Sequence, residues 1–404
     1  MILSQIAQQI NPSPTLKLNA KAAVLRQAGE PVIHLGGGEP KSKASPDAIN
    51  ATIAHLETGE IRYAAVGGIP ELKQAIIDYT EQHYHRLVEP ANVIASSGAK
   101  QALMVGLQAI LNPQDEVIFP VPYWVSYPEM VKLAYGVPVP VTPAGGSLYP
   151  TIQDIEKKVT ANTKVILINS PNNPSGVVYP TGVIADLVDF CEKREIFLIM
   201  DDIYHQLVFD GQKAPSGYEF TKKSVDESKL LVINGVSKLY AMTGFRLGWA
   251  IGNRELIAAM TRIQAHQTSG SSILAQKGAI GALTGDQSCV RALRSTLETH
   301  RDILLAELAE IPNLKVQKPE GTFYSFVDFR AYEADSRQLS DFLIENVLVL
   351  AVPGVDFGMD GYLRLSFCGS EADIREGIRR IRWALDPNQT EPLTIGNRQV
   401  VKTW

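Results

Sequence analysis

Residues 230–252 read LLVINGVSKLYAMTGFRLGWAIG, and the fold turns on how this stretch is understood. The apolar runs at 230–233 and 249–252 each suit a short strand covered on both faces. Between them lie small residues, a lysine at position 238 and an arginine at 246 with glycines on either side at 244 and 248. A lysine amine forms a Schiff base only in a dry site where its proton is easily lost. An arginine nearby suits a phosphate, because its fork bonds two oxygens and stays charged. A surface lysine and an ion-paired arginine are the plain alternative; the glycines and the spacing to Arg246 weigh against it.

Outward from this stretch, apolar runs at 92–95, 116–119, 164–169 and 196–200 alternate with longer stretches of helical period. One of these, residues 100–111, puts Leu103, Leu107, Ile110 and Leu111 on one face. The alternation predicts an α/β domain with a mostly parallel sheet, whose ligands sit at the carboxyl ends of the strands. A long charged amphipathic helix at 292–310 leads to a smaller unit, with an alternating run at 321–329 and a closing helix at 371–385. The first 45 residues hold a helix at 19–28 and a strand at 31–35, expected to pack with that unit. The resulting division is an N-terminal arm and part of the small domain at 1–45, a large domain at 46–290 and a small domain at 291–404.

The chain has 404 residues, 45% hydrophobic and 20% charged, with a net charge of −5. Such a balance describes a globular protein, and the negative sign argues against a broad nucleic-acid footprint. Three scattered cysteines, Cys191, Cys289 and Cys368, form no CxxC pair and are expected to be reduced and packed in cores. No apolar run reaches the roughly 18 residues a membrane span needs. The start, MILSQIAQQINPSP, lacks the basic flank and cleavage site of a secretory signal, so a cytoplasmic enzyme is expected. His83 and His85 lie in a polar helical stretch and read as a solvated face, and no metal site is expected.

Other segments carry chemistry on their own residues. The stretch NVIASSGAKQAL at 92–103 reads as strand, tight turn and helix, and a helix N-terminus offers free N–H groups to a phosphate. An ordinary turn capped by Ser97 is the alternative. The strand IFLIMDDIY at 196–204 runs into acids, and a buried carboxylate needs a partner such as a protonated ring nitrogen. NSPNNPSG at 169–176 is a turn by composition. PYWVSYP at 122–128 offers an aromatic after a strand, either as core or as a stacking face. In YLRLSF at 362–367 an arginine among apolar neighbours suits a carboxylate ligand or a domain-interface ion pair. HLGGGEP at 34–40 is a glycine turn that lets a substrate approach backbone closely.

Together these segments resemble the class I pyridoxal-phosphate-dependent aminotransferases, in the family's order and across nearly the whole chain. The resemblance implies fold type I: a large domain with a mostly parallel seven-stranded sheet covered by helices, plus a smaller α+β domain. It implies pyridoxal 5'-phosphate bound through Lys238, with Gly98, Ala99, Lys100, Ser237 and Arg246 at the cofactor. The Lys100 contact is expected through its backbone. Trp124 would stack on the ring, Asn173 and Tyr204 would meet the phenolic oxygen, and Asp201 would hold the ring nitrogen protonated. Asp202 stands where the family has Glu and is expected to be structural.

By the same resemblance Lys238, Asp201 and Tyr204 are catalytic, and Arg364 clamps the substrate α-carboxylate, with Gly38, Trp124 and Asn173 beside it. Lys41 and Ser42 replace the usual Asp-Phe after Glu-Pro, which touches the mouth of the site. Tyr63, in RYAAVGGIP at 62–70, would reach the phosphate of a partner subunit, implying a homodimer with shared sites. The wording of PYWVSYPEM and NSPNNPSG is nearest to prokaryotic aspartate aminotransferases, which implies ping-pong transamination of aspartate with 2-oxoglutarate. Ser13, Gln108 and Lys41 are candidates for the second carboxylate. Aromatic amino acid or prephenate transamination is the alternative within the chemistry. A non-catalytic sensing protein on the same fold is the alternative outside it.

Overall fold

The structure, a computed structural model, describes residues 3–402; the outermost ends of the expected first and last units, residues 1–2 and 403–404, lie outside them. The main sheet has seven strands: β2 (Val93–Ser96), β3 (Glu116–Pro120), β4 (Val137–Val141), β5 (Thr163–Asn169), β6 (Phe197–Asp201), β7 (Leu230–Gly235) and β8 (Gly248–Ile251). Their order is β2-β8-β7-β6-β5-β3-β4, and β8 alone runs against its neighbours. It does so because residues 236–247 return the chain without a crossover helix. This short return carries both Lys238 and Arg246.

Every residue of β7 is buried, which is why its sequence shows a continuous apolar run rather than alternation. Successive side chains still point to opposite faces. Ile166, Ile168, Leu198, Met200, Leu230 and Val232 enter one core, with Ile184, Leu187 and Val188 of the helix Thr181–Arg194. Val165, Leu167, Ile199, Leu231 and Ile233 enter the other, with Leu103 and Leu107 of the helix Ala99–Ile110 and Met260 of the helix Arg254–Ala265. Helices on both faces leave one place for a ligand, the carboxyl edge, where Ser96, Pro120, Asn169, Asp201 and Gly235 end their strands.

β4 was absent from the strands read in the sequence. Its VPVPV pattern has prolines that cannot donate to a ladder, and it forms the half-exposed edge of the sheet, where they are tolerated. The arm helix spans Pro14–Gln27 rather than 19–28, since Pro14 in the first turn starts it early. A short helix, Gln5–Gln9, precedes it. The long helix runs Ser288–Ala309.

Beyond that helix, β9 (Lys315–Val316), β10 (Tyr324–Asp328), β12 (Val352–Pro353) and β13 (Tyr362–Ser366) form an antiparallel sheet ordered β12-β13-β10-β9. β1 (Ile33–His34) pairs in parallel with β11 (Val349–Leu350), tying the N-terminal segment to this unit. A terminal hairpin, β14 (Leu393–Ile395) with β15 (Arg398–Val400), closes the described chain. His83 is not on a solvated face: it is half-buried, 4.5 Å from the Tyr79 ring, and burial lowers its pKa. His85 is exposed and ends its helix in the left-handed conformation. Among the described residues all three cysteines are free, Cys191 and Cys368 buried and Cys289 partly so, and no helix is long and apolar enough to cross a membrane.

Candidate active site

The carboxyl edge of the sheet opens into a cavity of about 600 Å³. Its wall gathers Gly38, Ala99, Lys100 and Trp124 with Asn173, Asp201 and Tyr204. Ser237, Lys238, Arg246 and Arg364 complete the set expected from the sequence. These residues come from seven separate places in the chain: five lie at the carboxyl edge of the main sheet, while Gly38 follows β1 and Arg364 sits on β13 of the smaller sheet.

At the turn after β2, Gly98 caps the helix Ala99–Ile110 with φ +89°, and no side chain bonds to the cap. Ser97 does not cap; its own N–H donates to Gln101 Oε1 at 2.6 Å. The helix therefore points uncapped N–H groups at the cavity. Arg246 closes over this turn so tightly that a Cβ on Gly98 would lie 2.6 Å from Arg246 Nη2. From the other side Gly248 lets β8 lie against it, since a Cβ there would lie 2.2 Å from the Ala99 nitrogen. Lys100 contributes more than backbone: its Nζ lies 4.7 Å from the Trp124 ring centroid, and burial lowers its pKa.

Asp201 ends β6 beside Asn169, the last residue of β5. Tyr127 donates to its Oδ2 at 2.7 Å, whereas the buried Oδ1 has no hydrogen bond. Burial raises the carboxyl to about 6, while Tyr127, the Ile203 amide and the Lys238 charge pull the other way. Asp202 is buried near Tyr84, whose ring stacks on His205; burial and the Asp201 charge push it to about 8. Lys238 donates to the Gly38 carbonyl, and burial lowers its amine to about 8.

Arg364, on β13 and 2% exposed, donates from Nη1 to Asn173 Oδ1 at 2.9 Å and from Nη2 to the Gly36 carbonyl at 3.0 Å. Its Nε is buried without a partner, and the guanidinium lies 4.2 Å from the Tyr324 ring centroid. Among the described residues no carboxylate pairs with it, and a buried, unpaired guanidinium is costly and invites one from solution. The interface ion pair is thereby set aside.

Several expected positions stand apart. Tyr63 does not line the cavity and is 95% exposed. Gln108 is outside it as well, accepting from Gln267 Nε2 at 2.6 Å. Ser13 and Lys41 do line it; Lys41 also pairs with Asp373 at 3.3 Å. Sequence reasoning missed Tyr127, Tyr324, His34 and Cys368. Tyr127 lay inside a quoted aromatic motif. Tyr324, whose hydroxyl accepts from Tyr204 at 3.5 Å, lay inside an alternating run, where nothing local marks it.

Residues 30–381 match the family model for aminotransferase class I and II. A probable aspartate/prephenate aminotransferase of Aquifex aeolicus (strain VF5) is 40% identical over 395 residues, 95% of this chain and 98% of that one. An aspartate aminotransferase of Bacillus subtilis (strain 168) is 37% identical, over 95% of this chain and 98% of its own. The solved aspartate aminotransferase from Thermus thermophilus with maleate superposes with a TM-score of 0.90 at 36% identity, covering 95% of this chain and 100% of that one.

Proposed function

The chain belongs to the class I and II aminotransferases, a fold type I family that uses pyridoxal phosphate, and on that footing we propose that it exchanges amino groups between L-aspartate and 2-oxoglutarate by a ping-pong mechanism. The observation that carries the substrate is the charge of the cavity. Arg364 stands ready for one carboxylate, and Arg26 and Lys41 line the same cavity as cations for a second.

The residues present suit the cofactor. Asp201 keeps one buried oxygen unbonded, as a carboxylate awaiting a ring N–H would. Gly98 and Arg246 leave room at an uncapped helix start for a phosphate but none for a side chain. In this reading Ala99, Lys100, Ser237 and Arg246 hold the phosphate, Trp124 stacks on the ring, and Asn173 and Tyr204 meet its phenolic oxygen. When bound, pyridoxal phosphate supplies the carbon that takes up the substrate nitrogen and the ring that accepts electrons.

The protein does the rest. Arg364 fixes the α-carboxylate with a charge-assisted fork, and Asn173 and Gly36 hold that fork in place. The Lys238 amine, lowered by burial, would take the α-proton and deliver it to the carbon on the other side of the amino nitrogen, base and then acid. Asp201 keeps a proton on the ring nitrogen throughout.

A second reading, transamination of prephenate or aromatic amino acids, is supported by the Aquifex relative and by Leu16, Leu103 and Val125 in the wall. The sensing-protein alternative has nothing in its favour, since Lys238, Asp201 and Arg364 all stand at the cavity. We also propose a homodimer with shared sites, supported by the exposure of Tyr63 and of Ile49, Ile53, Leu56 and Ile61 close to it in sequence.

A panel of amino donors, ranked by the rate at which each bleaches the visible cofactor band, tests the substrate. Aspartate should lead; phenylalanine leading would replace the proposal by its alternative. Arg364→Ala should lower kcat/KM on the order of 10²-fold for every amino acid, and a loss confined to one donor would end the clamp role.

A further inference from the structure

His34 stands where the arm helix Pro14–Gln27 meets β1, with the cavity beside it. Its ring makes two hydrogen bonds of opposite sense. The Gly36 N–H donates to Nδ1 at 3.0 Å, and Nε2 lies 2.7 Å from Asn19 Oδ1. A backbone N–H only donates, so Nδ1 is bare and Nε2 carries the proton given to Asn19.

Beyond Gly36 the bonds continue without a gap. Its carbonyl accepts from Arg364 Nη2 at 3.0 Å, and Arg364 Nη1 donates to Asn173 Oδ1 at 2.9 Å. The Asn173 N–H donates to Asn169 Oδ1 at 2.7 Å, and Asn169 Nδ2 to the Asp201 carbonyl at 2.7 Å. One file of hydrogen bonds thus joins an exposed helix to the buried end of β6.

The helix at the outer end is lightly held. Ala22 is its single buried residue, and its ion pair, Lys21 to Asp341 at 3.6 Å, is solvent-exposed. Exposed pairs contribute little, and elements with few buried contacts open at low cost. Yet this helix and its cap bring Ser13, Thr15, Leu16 and Arg26 to the cavity wall.

We infer that His34, in its Nε2–H tautomer, is a positioning residue that couples seating of the arm helix over the cavity to orientation of the Arg364 guanidinium. The Gly36 carbonyl is the shared point: the ring fixes the Gly36 amide, and the same residue's oxygen fixes Nη2. Burial first, and then Arg26, Arg364 and Lys41 facing the ring, lower His34 to about 4, so Nδ1 remains an acceptor through the neutral range. The inference rests on the reading of Arg364 as the carboxylate clamp.

The test is calorimetric binding of maleate, a dicarboxylate, to the cofactor-loaded enzyme, with steady-state kinetics alongside. His34→Asn keeps an acceptor near Nδ1 but cannot reach Asn19; His34→Gln reaches towards Asn19 but loses the acceptor. Each should weaken maleate roughly ten-fold, and Asn19→Ala should do the same. Asn19→Ala, on an exposed site that does not threaten folding, should add nothing in the His34→Asn background. KM should rise while the Tm stays with the parent's. Maleate affinity unchanged in the His34 and Asn19 variants, or strictly additive losses, would overturn the coupling. The control is Arg364→Ala: if it weakens maleate and the His34 variants do not, only the coupling falls. If Arg364→Ala itself binds maleate normally, the clamp reading falls.

Discussion

Burial brings the Lys238 amine down to about 8 from 10.5, with the Arg364 and Arg246 charges helping and Cys368 and Glu39 opposing. In the proposed role the free amine is the nucleophile, so capture of pyridoxal phosphate by the cofactor-free protein should speed up as pH rises and level off above about 8. A midpoint near 10, from the growth of the visible band in stopped flow, would mean an ordinary surface lysine. Asp201 shows the complementary effect. Burial raises its carboxyl, and a cation at the unbonded Oδ1 would bring it back down. Both residues were legible in the sequence, because each ends or follows an apolar run at a sheet edge. Tyr127, which bonds Asp201 across 74 positions of chain, was not. Nothing within a turn or a strand marks that pairing.

The strand, turn and helix formed by β2, Gly98 and Ala99–Ile110 is the element on which the proposed phosphate binding rests. Gly98→Ala would force a side chain into a positive-φ position and against Arg246. The strain is on the order of 1–2 kcal/mol before any displacement of the arginine. We expect the Kd for pyridoxal phosphate to rise at least ~10-fold while the far-ultraviolet spectrum of the fold is unchanged. An unaltered Kd in a fluorescence titration would remove the turn from the phosphate site. Buried strands were readable because both faces are covered, so apolar runs mark them. β4 was not, because its prolines contradict the ladder it joins from the edge. The arm helix was placed five residues late, since its first turn carries few apolar residues and only the Ser13-Pro14 start announced it.

Tyr63 is 95% exposed and does not line its own chain's cavity, so a role at a phosphate requires a neighbour. Inactive Tyr63→Ala and Lys238→Ala chains, co-expressed, should regain roughly a quarter of the parent activity. Half of the random pairs are mixed, and each mixed pair carries one intact site of two. No recovery, with mixed pairs verified by mass, would confine each site to one chain. The exposed Ile49, Ile53, Leu56 and Ile61 would lie at the same contact.

Six of the seven main-sheet strands with their turns, the lysine, the arginines and the acid at a strand end were written in local pattern. Period and turn composition are properties of a few neighbouring residues, and they survive without any knowledge of what packs where. The tertiary structure alone decided which oxygen of Asp201 is left free, that Gln108 points elsewhere, and that His34 ties Asn19 to Gly36. Those outcomes depend on which residues packing brings together, across 159 positions for Gln108 and Gln267 or 15 for His34 and Asn19, and no local pattern states that.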